Sequence, residues 1–181
     1  MEHAQTRIST KSIATCALCV ALLVVSCFFT IPVGPIPFTL QTAVVILIAL
    51  LMTPKQAAVT TGVYLLMGAA GLPVFSGMTG GIIRASSGFL FSYLIGTIVA
   101  SAVRLQLEKR GVKQIVCDVV TAVLVISISD VLGWLWMMFF TQTDPLAAFL
   151  MADAPFIAID CCKGAVAIVV ATAVRKALKT A

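Results

Sequence analysis

The sequence predicts an all-α membrane protein with six transmembrane helices, and three observations lead to this prediction. Hydrophobic residues make up 61% of the 181 residues and charged residues only 10%, and the mean hydropathy of +1.12 is far above that of a soluble globular chain. The length allows about six spans of roughly 20 residues each. Most basic residues stand between the apolar segments. We therefore expect one helical domain over residues 1–181, with no separate soluble domain.

The first predicted span covers residues 12–30. The polar stretch before it carries Arg7 and Lys11 and imitates the start of a signal peptide. The apolar part is longer than the core of a signal peptide, and further apolar segments follow, so we expect this span to be retained. Ala17 and Ala21 form a small-xxx-small pattern that allows another helix to approach closely in lipid. Chance in an alanine-rich helix explains the pattern equally well.

A proline-rich segment, residues 31–41, separates the first span from the second span at residues 40–52. Pro32, Pro35 and Pro37 exclude a helix interior here. An apolar segment that is not helical is tolerated at membrane depth only where it packs on protein or lines a cavity. This segment is therefore a candidate lid or wall of a binding site.

A glycine-rich, apolar loop at residues 71–81 separates the third span, residues 57–71, from the fourth span, residues 87–103. Glycine lets the backbone approach a ligand closely, which makes Gly80 and Gly81 candidate ligand-binding residues. Neither this loop nor any other stretch has a phosphate-binding motif. We therefore expect that the chain does not hydrolyse ATP by itself.

The fifth and sixth spans are predicted at residues 115–140 and 155–174, joined by a loop. The sixth span contains Asp160 and Lys163, which a three-residue spacing places on one face of a helix. Each charge would cost roughly 2.5 to 3.5 kcal/mol at the centre of a bilayer. One interpretation is that the pair only neutralises itself, or that Lys163 snorkels to an interface. The other, which we favour, is that the pair binds a ligand.

The basic residues indicate the orientation of the chain, because they concentrate on the cytoplasmic side of membrane proteins. Six spans place both termini on one side, and ten of the twelve basic residues lie on that side. These are Arg7, Lys11, Lys55, Arg104, Lys109, Arg110, Lys113, Arg175, Lys176 and Lys179. We therefore expect both termini to be cytoplasmic. Arg84 and Lys163 are the two exceptions.

The two exceptions predict an outward-facing pocket that suits a small anion. Arg84 could hold a carboxylate with two hydrogen bonds, and Asp160 could accept N–H groups of an amide or a urea. Apolar walls could come from Phe75, Tyr93 and Trp134, although each is also an ordinary packing residue.

The remaining residue types argue against metals, cofactors and nucleic acids. The six cysteines, Cys16, Cys19, Cys27, Cys117, Cys161 and Cys162, lie in or beside apolar runs and are expected to act as small packing residues. His3 is the only histidine, and no second pair completes the Cys16-x-x-Cys19 spacing, so we expect no metal site and no cofactor. The net charge of +5 is explained by topology, so we expect no nucleic-acid partner.

Three sequence patches resemble one family. They are the stretch PIPFTLQ at residues 35–41, GLPVF at residues 71–75 with Gly80 and Gly81, and Pro155-Phe156 followed by Asp160-x-x-Lys163. Over nearly its whole length the chain is similar to the BioY family, the biotin-binding membrane subunits of energy-coupling-factor (ECF) transporters. Members typically carry GPTGGYL at the entry to the fourth span. This chain has Gly88 and the Tyr-Leu pair at residues 93–94 there, but not the residues between them.

The resemblance implies a six-helix substrate-capture subunit, or S component, of a prokaryotic plasma membrane. It would bind biotin from outside and work with a transmembrane coupling protein and two cytoplasmic ATPases. In the family the acid and base of the last helix belong to the biotin site, which carries over onto Asp160 and Lys163. Gln41 of the first patch is a further candidate contact for the ligand. Ala17 and Ala21 resemble the helix face that docks on the coupling protein.

A different class of function remains open. In an ion-coupled secondary carrier for another small carboxylate or vitamin, Asp130 and Asp160 would relay protons. Such uptake would need no partner and would collapse with a protonophore. Asp130 equally well pairs with a polar neighbour. An enzyme is not expected, because the sequence has one histidine and no evident nucleophile and base.

Overall fold

The structure, a computed structural model, describes residues 10–32 and 36–180. The predictions that involve His3, Arg7 and Pro35, and the side chain of Lys179, lie outside this description. The described part forms seven α-helices and one two-stranded sheet: α1 (Thr10–Ser26), β1 (Thr30–Ile31), β2 (Phe38–Thr39), α2 (Gln41–Leu51), α3 (Pro54–Ala69), α4 (Ser87–Lys109), α5 (Gln114–Thr141), α6 (Pro145–Ala152) and α7 (Ile157–Thr180).

Each predicted span overlaps one helix, and α6 is the helix that was not predicted. Three helices are long and apolar enough to cross a membrane, namely α4, α5 and α7 over Ile157–Leu178. Helices α1 and α2 are apolar but shorter. The 11 residues of α2 extend over only about 16 Å, about half of a hydrocarbon core.

Helix α2 lies at the centre of the bundle and contacts α1, α3, α4, α5 and α7. A helix that is apolar on all sides is normally buried. Its buried side chains include Val45, Ile46, Ile48, Ala49 and Leu50. Because these residues bury most of its surface, α2 holds the pocket residues at its N-terminus in a fixed place.

The fourth span was predicted to end before Arg104, and this boundary is wrong. Helix α4 continues to Lys109, and Arg104 is 7% exposed inside the bundle rather than in a cytoplasmic loop. Its guanidinium group donates to the carbonyl oxygens of Ala49 at 3.1 Å and Met52 at 2.9 Å, where α2 ends. A helix end leaves carbonyl groups without partners inside the helix, so Arg104 caps α2 from a neighbouring helix.

A further ion pair ties α5 to α7 at the same end of the bundle. Arg175 donates to both carboxylate oxygens of Asp118, at 3.0 and 2.6 Å. Gln114 bridges Asp118 to Glu108 with bonds of 3.1 and 3.0 Å. Arg175 was predicted only as a marker of topology, but its paired charge also joins two helices.

At the opposite end, a small sheet folds the proline-rich segment back over the bundle. Strands β1 and β2 are antiparallel and pair Thr30 with Thr39 and Ile31 with Phe38. The prediction that this segment is not helical is confirmed for the described residues. The hairpin itself was not predicted.

The outward surface of the long helices is apolar. Exposed large side chains include Leu18, Val25, Val59, Leu66, Val123, Phe139, Val166 and Val169. An apolar surface of this extent is typical of a protein that faces lipid. The fold therefore agrees with a membrane protein of mostly helical structure.

Candidate binding site

A pocket lies at the end of the bundle where the sheet is found. Residues from α2, α4, α5, α7, the β1–β2 hairpin and the loop between α3 and α4 surround it. They are Ile36, Pro37, Phe38, Thr39, Gln41, Thr42, Phe75, Ser76, Arg84, Ser86, Phe89, Leu90, Tyr93, Asp130, Phe156, Asp160 and Lys163. Six of the eight predicted ligand-binding residues are among them.

The Asp160–Lys163 pair forms one wall of this pocket. The Lys163 Nζ atom lies 2.7 Å from Asp160 Oδ1, and the two side chains are 8% and 10% exposed, respectively. Asp160 lies in the first turn of α7, where the N-terminal end of the helix dipole favours a negative charge. The pair is therefore buried by protein near the end of a helix, and within the described part of the chain the hydrogen bond of this carboxylate uses Oδ1, not Oδ2.

Phe38 completes the environment of the lysine. Lys163 Nζ lies 4.3 Å from the centroid of the Phe38 ring, a distance that allows a cation–π interaction. The sequence indicated the segment around Phe38 as a lid or wall, but it did not indicate this contact. The pairing of β1 with β2 places Phe38 over the pocket, so only the folded chain reveals it.

Arg84 brings a second cation to the pocket and is half-buried. Its Nη1 atom donates to the hydroxyl of Thr79. Its carbonyl oxygen accepts from Trp136 Nε1 at 2.9 Å, which ties the backbone to α5. Its amide donates to Ser87 Oγ at 3.1 Å. The backbone of Arg84 is thus held by two helices, and Arg84 lines the pocket from the loop.

The structure places Gly80 and Gly81 in the loop behind the pocket, and they are not among the residues that surround it. A Cβ atom on Gly80 would lie 2.6 Å from the carbonyl oxygen of Gly71. Gly81 has a φ of +90° and donates to the carbonyl of Gly68 at 2.9 Å. These glycines allow the close packing of the loop that carries Arg84.

Phe75, Tyr93 and Gln41 line the pocket as predicted and are buried. The Phe75 ring stands at 74° to the ring of Tyr64, with centroids 5.4 Å apart. Gly68 faces the Phe75 ring so closely that a Cβ atom there would overlap it. The position of the Phe75 ring is therefore fixed by its packing against α3, and not only by the loop that carries it.

The prediction that Trp134 lines this pocket is wrong. Trp134 lines a separate apolar groove with Leu146 and Phe149, and its Nε1 atom donates to the Pro145 carbonyl at 2.9 Å. The presence of α6, which was not predicted, explains the difference because α6 forms the other wall of this groove.

Two carboxylates line the groove, and one of them also lines the pocket. Asp130 lines both, and Asp153 lines the groove. Asp153 is 2% exposed, and within residues 10–32 and 36–180 its Oδ1 atom has no hydrogen-bond partner. Burial, with the nearby charges of Asp130 and Asp160, raises the pKa of Asp153 to about 7. Asp153 therefore titrates near neutral pH.

The other predicted residues lie away from the pocket. Ala17 and Ala21 are exposed on the outer side of α1. Cys19, Cys27 and Cys117 are buried, whereas Cys161 and Cys162 are exposed, so the packing role predicted for all six does not hold for these two. Within the described residues there is no cluster of His, Cys, Asp and Glu that could hold a metal.

Comparison with known proteins gives the family. Residues 1–180 match the model of the BioY family. The probable biotin transporter BioY of Pyrococcus horikoshii is 31% identical over 164 residues, which cover 89% of this chain and 94% of that protein. Biotin transporter BioY2 of Lactococcus lactis is 31% identical over 171 residues, which cover 92% of this chain and 91% of that protein.

A solved structure shares the fold. The crystal structure of the S component for biotin from an ECF-type ABC transporter matches with a TM-score of 0.86 at 23% identity, over 97% of this chain and 95% of that one. The arrangement of helices is therefore that of an S component. With the family model matched over residues 1–180, the chain belongs to the BioY family.

Proposed function

We propose that this chain captures biotin as the S component of an ECF-type transporter. The observation that carries the proposal is the buried Asp160–Lys163 pair in a pocket that also holds Arg84. Family membership supports it, since relatives described as biotin transporters match most of the chain. The protein then lies in a prokaryotic plasma membrane with six spans and both termini in the cytoplasm.

The chemistry of the pocket suggests how biotin binds. Biotin has a cyclic urea at one end and a carboxylate at the other. Asp160 Oδ2 can accept an N–H of the urea, and the guanidinium of Arg84 can hold the carboxylate. Phe75, Tyr93 and Phe38 supply apolar surface for the rest of the molecule. Biotin therefore places its urea near α7 and its carboxylate toward the loop that contains Arg84.

The transport step requires partners. The sequence has no phosphate-binding motif, so the energy comes from separate ATPases through a transmembrane coupling protein. The exposed face of α1 that contains Ala17 and Ala21 also carries Leu18, Leu22 and Val25. Small residues between larger apolar ones let a partner helix approach closely. This face is the proposed docking surface for the coupling protein.

A thermal-unfolding experiment on the purified chain tests the proposal. Biotin at about 100 times its dissociation constant adds about 2.7 kcal/mol of apparent stability. Biotin should therefore raise the unfolding temperature, whereas thiamine and riboflavin should not. Equal shifts from all three, or none from biotin, would refute the assignment. Biotin uptake by cells that lack any coupling module, abolished by a protonophore, would favour an ion-coupled carrier instead.

A further inference from the structure

A buried polar cluster lies directly behind the binding pocket. It consists of Cys27 after α1, Gln41 at the start of α2, Tyr64 in α3, and the carbonyl group of Val74. The side chains of Cys27 and Tyr64 are fully buried, and Gln41 is 2% exposed. Among these residues, Gln41 is the one that lines the pocket. Cys27, Tyr64 and Val74 are not among the lining residues of the pocket.

The hydrogen bonds of this cluster have a defined direction. The carbonyl of Val74 can only accept, and it receives bonds from the Tyr64 hydroxyl at 2.9 Å and the Cys27 thiol at 2.8 Å. The Leu23 carbonyl, 3.2 Å from Cys27 Sγ, is a second acceptor for the same thiol hydrogen. Having used their hydrogens, both groups serve Gln41 as acceptors. Gln41 Nε2 donates to Cys27 Sγ at 3.0 Å and to the Tyr64 hydroxyl.

Only one orientation of the Gln41 amide satisfies the whole cluster. The observed orientation makes four hydrogen bonds. With the amide reversed, Gln41 Oε1 and the Val74 carbonyl would compete for the two hydrogens of Tyr64 and Cys27, so two of the four bonds would be lost. A buried polar group that loses its partner is costly. The cluster therefore fixes which end of the amide is free.

The free end is an acceptor. Both hydrogens of Nε2 are occupied, and within residues 10–32 and 36–180 Oε1 accepts from Thr39 Oγ1 alone, at 3.3 Å, which leaves one lone pair unused. Gln41 can therefore accept an N–H from a ligand but cannot donate to one. Gln41 therefore favours a ligand with a urea N–H over a ligand of similar size that has an oxygen in its place.

We propose that Cys27 and Tyr64 are positioning residues that lock the Gln41 amide, so that its oxygen accepts an N–H of the ligand's urea ring. This inference rests on the proposed function, because it takes biotin as the ligand. It assigns to the cluster a role in ligand selection, beyond the packing of α1 and α3 against the loop that contains Val74.

The experiment compares biotin with two carbamate analogues, in which one or the other urea N–H is replaced by oxygen. For the wild-type chain in detergent, isothermal titration should show at least one analogue binding about tenfold or more weakly than biotin, because oxygen would face Oε1. In the double variant Tyr64→Phe with Cys27→Ala, Nε2 has lost both acceptors and the amide can rotate. Biotin affinity should fall about tenfold, and the analogue whose oxygen faces Gln41 Oε1 rather than Asp160 Oδ2 should then bind within about threefold of biotin.

Two further variants separate positioning from packing. Cys27→Ser retains a donor and an acceptor and should keep the wild-type discrimination. Cys117→Ala removes an equally buried cysteine in α5, outside the cluster, and should also keep it. If the double variant does not fold, Tyr64→Phe alone keeps the ring against Phe75 and should show a partial loss of discrimination.

The possible results are distinct. If the double or single variant lowers the affinities for biotin and for both analogues by the same factor, the inference is overturned. Such a result would show that the cluster serves only to pack the helices. Wild-type protein that binds biotin and both analogues equally would overturn it as well. Wild-type protein that does not bind biotin at all would instead remove the proposed function.

Discussion

Removing the charge of Lys163 separates the stability of the ion pair from its role in binding. The pair has an N–O distance of 2.7 Å, and both side chains are at most 10% exposed. Lys163→Met leaves the carboxylate of Asp160 buried without its cation, and such a loss costs about 3 to 5 kcal/mol. Because a whole protein is stabilised by only about 5 to 15 kcal/mol, the unfolding temperature should fall steeply.

The double variant Asp160→Asn with Lys163→Met has a different expected outcome. Removing both charges of a buried pair is often nearly neutral, so its unfolding temperature should return close to the wild-type value. Biotin binding should not return. Two lost charge-assisted contacts of about 1.5 to 3 kcal/mol each correspond to a loss of affinity of about a hundredfold or more.

The assay is thermal unfolding followed by isothermal titration with biotin, in one detergent for all variants. Lys113→Met is the matched control, since this lysine is exposed at the start of α5 and its side chain makes no capping bond. The control should leave stability and biotin affinity close to wild type. Near-wild-type biotin affinity in a folded double variant would show that the pair is purely structural and would refute this reasoning.

Four further predictions follow from the structure. Arg84→Ala should lower the affinity for biotin about tenfold, but the affinity for a biotin amide, which lacks the carboxylate, by less than threefold. The control Arg110→Ala, at an exposed residue, should change neither affinity. Equal losses for both ligands would contradict the role of Arg84 in binding the carboxylate. The folded-state pKa of Asp153, about 7, exceeds its ordinary value of 3.8, so its protonated form stabilises the fold at low pH. The wild-type unfolding temperature should therefore fall as pH rises from about 4 to 7, and Asp153→Asn should reduce that fall; identical pH profiles would contradict it. Arg104→Met should cost at least about 2 kcal/mol, because two carbonyls at the end of α2 lose a charged donor, yet biotin affinity of the folded variant should be unchanged. The purified chain should show no ATPase activity in a phosphate-release assay, and hydrolysis that persists without other subunits would contradict this.

The sequence predicted the long helices because their apolar runs are continuous, but it misplaced several ends. Thr53 and Gln56 form a capping box with Pro54 at the first helical position of α3. This local signal could have placed the start of α3, which was predicted at residue 57. In contrast, the burial of Arg104 inside the bundle reflects its bonds to α2, which lies more than 50 residues away in the sequence. No local pattern reports such a contact.

The sequence also contains a local signal for the start of α6. Asp144 accepts a hydrogen bond from the amide of Leu146, and Pro145 occupies the first turn. An acid followed by proline is a common start of a helix. With only eight residues, α6 was too short for hydropathy to indicate, and Trp134 was assigned to the wrong cavity as a result.

The site was predictable where its chemistry is local. Asp160 and Lys163 stand three residues apart, so their pairing follows from helix geometry alone. The contact of Lys163 with Phe38 and the orientation of Gln41 by Tyr64 depend on long-range packing. The sequence could therefore indicate the charges of the pocket but not the groups that position them.

A structure of the chain with bound biotin tests the central claim most directly. The urea nitrogens should lie about 2.7 to 3.2 Å from the carboxylate oxygen of Asp160 and the amide oxygen of Gln41, and the biotin carboxylate should contact Arg84. Biotin found instead in the groove beside Trp134, or with its ring remote from Asp160, would contradict the account.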